Sequence, residues 1–188
     1  LEVESDENDT PVEISLDDEY HIIIEKYQNC VKRGYKITAS DILEKVEEAY
    51  WEIDQVEDSR EIITQSIKYY HEQEMRIDKA TWLKIYAERL KEKEDWGTAR
   101  NKYDDALKII EEFGRDRTYA KVRNDKILCE IESISVVEFD REYKLWLPQL
   151  TELQEIFKNW GDLRSMNRVQ LNEIRIYCKL GDIKKALD

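Results

Sequence analysis

Residues 80–113 read ATWLKIYAERLKEKEDWGTARNKYDDALKIIEEF. Leu83, Tyr86, Ala87 and Leu90 recur at helical spacing in the first half, and Ala99, Tyr103, Ala106 and Ile110 do so in the second. Apolar residues three and four apart line one face of an amphipathic helix. The stretch therefore predicts helix, short turn, helix, and so short a connection makes the two helices antiparallel neighbours.

The same spacing extends outward in both directions. Tyr20, Ile24, Tyr27 and Val31 form one stripe, Ile42, Val46, Ala49, Ile53 and Val56 another, and Leu150, Leu153, Phe157 and Trp160 a third. Ser15, Thr38 and Asp58 each stand three residues before an acid, the pattern of a helix start. Gly34, Gly114, Gly161 and Gly181 fall where stripes end, as the left-handed residue after a helix requires. About eight helices follow, at roughly 17–33, 39–56, 59–76, 79–93, 96–112, 116–134, 139–160 and 163–180, with another beginning near 182. Pro148 predicts a break near Trp146–Leu147, since proline deletes a helical hydrogen bond.

Five glycines and two prolines in 188 residues argue against a turn-rich all-β sandwich and against a Pro/Gly-rich disordered chain. Charged residues make up 39%, the balance of helices with wet outer faces. No apolar run approaches the roughly 18–20 residues that a membrane-spanning helix needs. The formal net charge of −13 is unevenly spread. Residues 1–19 hold nine acids and no base, leaving 34 acids against 30 bases in the remainder. The reading is an acidic, largely disordered segment over 1–16, with Val12, Ile14 and Leu16 extended against the body. Helices over 17–78 then pack on a repeat region at 79–188. The chain opens on Leu1 and ends at Asp188, one turn into a helix, which predicts a piece of a larger protein and an incomplete last repeat. Cys30, Cys129 and Cys178 lie far apart and odd in number, which favours buried free thiols in the cytoplasm or nucleus over zinc or disulfides.

The 80–113 hairpin resembles a tetratricopeptide repeat. Ala87 supplies the small residue that the family wants late in its first helix, and Ala99, Tyr103 and Ala106 match the alanine, aromatic and alanine of its second. Small residues let neighbouring helices approach, and the aromatic fills the space between them. Glu111 stands where the family's proline usually falls. Near the end, Tyr177, Gly181, Asp182 and Ala186 occupy the family's aromatic, turn and small-residue places. Residues 116–160 read as a lengthened, irregular repeat. The resemblance implies an all-α protein of antiparallel hairpins stacked into a right-handed α-solenoid, with the first helix of each pair on the concave side.

Signatures of catalysis are missing. His71-Glu72-Gln73-Glu74-Met75 opens like a zinc-protease helix, but Met75 stands where the second histidine belongs. Asp18 and His21 have the carboxylate–histidine spacing of di-iron helices but stand alone. Isolated glycines form no phosphate loop. The reading is a non-enzyme without cofactor or metal. An acidic chain also disfavours nucleic acid, although Arg115, Arg117, Lys121, Arg123 and Lys126 face only Asp116 and Asp125 in sequence. Either an ordinary surface or a grip for an acidic peptide or RNA fits that cluster. Trp82, Trp96 and Trp160 read as filler between helices, or as groove lining.

On the 163–180 helix, Arg168, Asn172, Arg175 and Lys179 share a stripe, 4, 3 and 4 residues apart. Val169, Ile176 and Leu180 flank it on one side and Leu171, Ile174 and Tyr177 on the other, so both flanks are expected to be buried. The matching strip of the 79–93 helix is Lys84, Glu88 and Lys91. Lys84, Lys91, Arg168, Asn172, Arg175 and Lys179 are thus the candidate partner-binding residues, for an acidic or carboxylate-bearing peptide. The expected function is a non-catalytic adaptor or scaffold binding a protein in its concave groove. Two readings stand beside it: the sensor arm of a larger enzyme or transcription regulator, and a scaffold subunit of a multi-subunit complex.

Overall fold

The computed structural model describes Asn29, Lys32, Arg33, residues 36–72 and residues 74–187. Every regular element among them is an α-helix: α1 (Lys36–Glu52), α2 (Val56–Glu72), α3 (Arg76–Glu92), α4 (Trp96–Glu111), α5 (Arg117–Ser133), α6 (Val136–Asn159), α7 (Leu163–Lys179) and α8 (Ile183–Leu187). The chain divides into two compact units, one ending at Gln65 and the other spanning Ser66–Asp188, so the boundary falls inside α2. The acidic 1–16 segment, Gly34, Cys30, His21 and nearly all of the helix expected at 17–33 lie outside the described residues.

One device ends most of the helices. Asp54, Glu74, Glu94, Gly161 and Gly181 adopt positive φ, between 55° and 72°. In each case the next residue's N–H donates to the carbonyl five residues back: Gln55 to Tyr50, Met75 to Tyr70, Asp95 to Leu90, Asp162 to Phe157 and Asp182 to Tyr177, at 2.9–3.0 Å. This closure satisfies carbonyls that the last turn leaves without partners. Gly114 also has positive φ, so stops recur every twenty residues at 54, 74, 94 and 114. Two such units make a hairpin of forty residues, longer than the 34 of a tetratricopeptide repeat. Three of these stops are acidic residues in a conformation that favours glycine, and a glycine-based expectation misses them. The helices expected at 39–56, 59–76 and 79–93 accordingly run 36–52, 56–72 and 76–92. Thr38 and Asp58, expected as caps, fall within first turns, where Asp58 and Glu57 complement the helix dipole of α2.

Pro148 does not break its helix: α6 is continuous from Val136 to Asn159. Proline removes a donor and loosens the adjoining turn, but Gln149 Nε2 donates to the Leu145 carbonyl at 2.8 Å and Thr151 Oγ1 to that of Leu147 at 3.1 Å. Buried Trp146 and Leu150 anchor the helix on both sides of the proline, and Trp146 Nε1 donates to Glu130 at 2.9 Å. Ser135 starts α6 by accepting from the Glu138 N–H and donating to its carboxylate.

The sequence-marked hairpin forms as α3 and α4, with Leu83, Ala87, Leu90, Ala99, Tyr103, Ala106 and Ile110 all buried. Within the second unit each helix packs on its successor from α3 to α8, and α5 also touches α7. Forty residues before the α3–α4 core, Leu43, Tyr50, Ser59, Ile63 and Ser66 are buried at the corresponding places. Glu47 takes the position of Ala87; it is 1% exposed and accepts from Ser59 Oγ at 2.6 Å. A carboxylate–hydroxyl pair thus fills the close approach that a methyl fills in the next hairpin. Some expected interior residues lie outside: Trp160 is 63% exposed, and Cys178 is exposed whereas Cys129 is buried.

Two stability measurements follow from this architecture. Gly161→Ala, with nothing within 4 Å of the added Cβ, is expected to lose about 1 kcal/mol through φ strain alone, and Glu94→Gly to gain up to about 1 kcal/mol, both read as urea midpoints. Ser59→Ala, which takes a hydrogen bond from a buried carboxylate, is expected to cost about 1.5–3 kcal/mol in the same assay.

Candidate functional site

α3, α5 and α7 bring polar side chains onto a common face, and the contacts run across the helices. Asp125, on α5, is 4% exposed. Its Oδ2 lies 3.7 Å from Lys84 Nζ of α3, and its Oδ1 accepts from Arg168 Nη2 of α7 at 3.3 Å. Lys84 also pairs with Glu88 at 2.7 Å. One residue back, Asn124 Oδ1 accepts from Asn172 Nδ2 at 2.8 Å, and Asn172 Oδ1 in turn accepts from Arg175 Nη1 at 2.9 Å. Further along, Lys179 donates to the Ile131 carbonyl and sits 5.3 Å from the centre of the Phe139 ring. The three helices are joined by a ladder of alternating charge and amide.

Burial and charge oppose each other at its centre. Burial pushes the Asp125 carboxyl above the ordinary aspartate value; Lys84, Arg168 and Lys91 counter this, and Glu88 reinforces it. Burial works against the charge on Lys84, yet the carboxylates of Glu88 and Asp125 outweigh it and raise its pKa. Tyr103 of α4 is fully buried behind them, its phenol pushed up by burial first and then by Glu88 and Asp125. Cys129 is likewise driven up to about 11, chiefly by burial, which makes it a poor nucleophile near neutrality.

Of the six residues expected to meet a partner, Lys84 and Arg168 come together at Asp125. Arg168, Arg175 and Lys179 are exposed, and Lys91 is half-buried on α3. Asn172 departs from expectation: it is 1% exposed, its amide spent on Asn124 and Arg175, so it holds α7 in place and does not face a partner. A stripe wide enough to carry four polar residues crosses the buried edge of the helix, and Asn172 lies on the inner side of that edge. The expectation of burial on both flanks also fails: Val169 and Ile176 are fully buried, whereas Leu171 is 53% and Ile174 39% exposed. The expectation omits Asn124 and Asp125, which sit in the polar run Arg123, Asn124, Asp125 and Lys126 between Val122 and Ile127, so nothing in the sequence marks them as inward-facing.

The basic cluster near the start of α5 is largely neutralised. Arg115 pairs with Glu111 and Glu152, Arg117 with Asp162, and Lys126 with Asp104 and Glu130, while Arg123 donates to Gln149. Most of these partners are distant in sequence. A cleft of about 1010 Å³ lies beside this cluster and is lined by Asp104, Glu111 and Glu152 together with Arg115 and Arg123. Among the described residues, no group of three His, Cys, Asp or Glu side chains could hold a metal ion, and no helix is long and apolar enough to cross a membrane. Comparison with protein-family models, curated proteins and solved structures gives no match.

The raised Asp125 pKa carries a sign. The folded chain keeps this proton to higher pH than the unfolded chain does, so its contribution falls as pH rises from the ordinary aspartate pKa, near 4, through the raised value. Asp125→Asn should flatten that part of the stability profile and stay within about 1 kcal/mol of the parent at pH 7, as read from urea midpoints between pH 4 and 7.

Proposed function

We propose that residues 66–188 are a tetratricopeptide-like helical-repeat module that binds a partner protein without catalysis, as an adaptor or scaffold, through the face built by α3, α5 and α7. The observation that carries this reading is the Lys84–Asp125–Arg168 bridge. When hairpins stack sideways, their first helices become neighbours and share a face. In a closed bundle, alternate helices sit across the core from each other. Contact between α5 and α7 supports the stacked arrangement. The polar groups at the centre of the face are committed to one another, which suits a rigid binding surface better than proton transfer.

The outer cations set the chemistry of the partner. Arg175 and Lys179 hold neutral acceptors, an amide oxygen and a backbone carbonyl, and no carboxylate among the described residues pairs with either. Lys91 adds a third cation on α3. An acidic segment would gain charge-assisted hydrogen bonds from this set.

Affinity capture from cell extract with the full chain tests the assignment. The parent should retain a specific partner at low salt and release it as salt rises. Arg175→Glu together with Lys91→Glu should abolish capture while the melting temperature stays near the parent's. Undiminished capture by that variant would refute the face assignment.

A further inference from the structure

Among the described residues one flank of α7 is left uncovered, and it has the pattern of a helix-pairing seam. Asn167, Leu171, Ile174 and Cys178 follow one another at 4, 3 and 4 residues, and all four are exposed. That 3.5-residue period keeps a stripe facing a second helix along its length. The positions just after Asn167 and Ile174 are Arg168 and Arg175, where paired helices place the charges that select a partner. Arg164 and Lys179 extend the basic border at either end.

The charge of α7 is opposite to that of its chain. Four cations and one acid occupy its 17 residues, in a protein of formal net charge −13. Several other cations of the same unit are matched to carboxylates, as in Arg76–Glu112, Arg117–Asp162 and Lys126–Asp104. Among the described residues, Arg175 and Lys179 bond neutral oxygens rather than carboxylates. The single acid, Glu173, is turned away and accepts from Gln154 at 2.7 Å. An apolar seam with such a border fits an occupant of opposite sign.

We propose that this flank docks one α-helix of a partner protein, with an apolar stripe recurring every three to four residues and Asp or Glu along its border. This rests on the partner-binding reading above and narrows it from an acidic segment to an acidic amphipathic helix. Leu171 and Ile174 supply the apolar anchors, and Arg168 and Arg175 set the register of the charged edge.

The test uses the full chain and three synthetic peptides of about three heptads, followed by fluorescence anisotropy. The first carries Leu at the seam positions and Glu on the borders, the second has Lys in place of Glu, and the third has Ser in place of Leu. The first should bind saturably and more weakly as salt rises, and the other two should bind more than about tenfold more weakly. Ile174→Asp and Arg175→Glu, both at exposed positions, should each weaken the first peptide about tenfold with unchanged circular dichroism. Absence of binding by the first peptide, or indifference to Ile174→Asp, would overturn the proposal. Equal binding of the Ser peptide would also overturn it, since charge alone would then suffice and the broader acidic-partner reading would stand. Concentration-dependent dimerisation abolished by Ile174→Asp would overturn it too, by assigning the flank to a second copy of this chain.

Discussion

A buried carboxylate shared by two cations from different helices organises the second unit. Asp125 is nearly inaccessible, and removing such a group from water is costly unless it finds partners. Lys84 and Arg168 reach it from α3 and α7, so one side chain of α5 ties both helices at that level. The Asn124–Asn172 pair one residue away adds direction, because amide hydrogen bonds tolerate little sliding. Ala87 of α3 and Ala99 and Ala106 of α4 are fully buried within the hairpin that carries Lys84. The ladder supplies the register that apolar packing alone leaves loose.

Helical character and the α3–α4 hairpin were readable because they depend on local periodicity, and Leu83, Ala99, Tyr103 and Ala106 lie in the core where their spacing puts them. Helix ends were readable where glycine marks them, at 114, 161 and 181. They were not readable at Asp54, Glu74 and Glu94, because the hydrogen-bonded closure tolerates a strained residue and leaves no compositional trace. Pro148 misled for a related reason: the side chains of Gln149 and Thr151 bond the nearby carbonyls, and no rule about proline alone contains that.

The polar face of α7 was half legible. Spacing grouped Arg168, Asn172, Arg175 and Lys179 on one stripe, but it could not say which of them would be drawn inward. That depended on Asn124 and Asp125, which lie more than forty residues earlier in the chain. The same limit applies to the basic run at 115–126, whose neutralising partners Asp104, Glu152 and Asp162 become neighbours only after folding. Charge counted along a sequence is therefore a weak guide to charge displayed on a surface.

The even spacing of the helix stops has a consequence for how such a chain can change length. Between the stops at 54 and 114 one helix with its turn occupies twenty residues, and each reverses the direction of the backbone. Gain or loss of a single unit by gene duplication or deletion would invert the polarity of every later helix and move the cations of α7 to the opposite side. Gain or loss of two units restores both direction and side. Growth in multiples of forty residues therefore lengthens such a run while keeping the direction of every later helix.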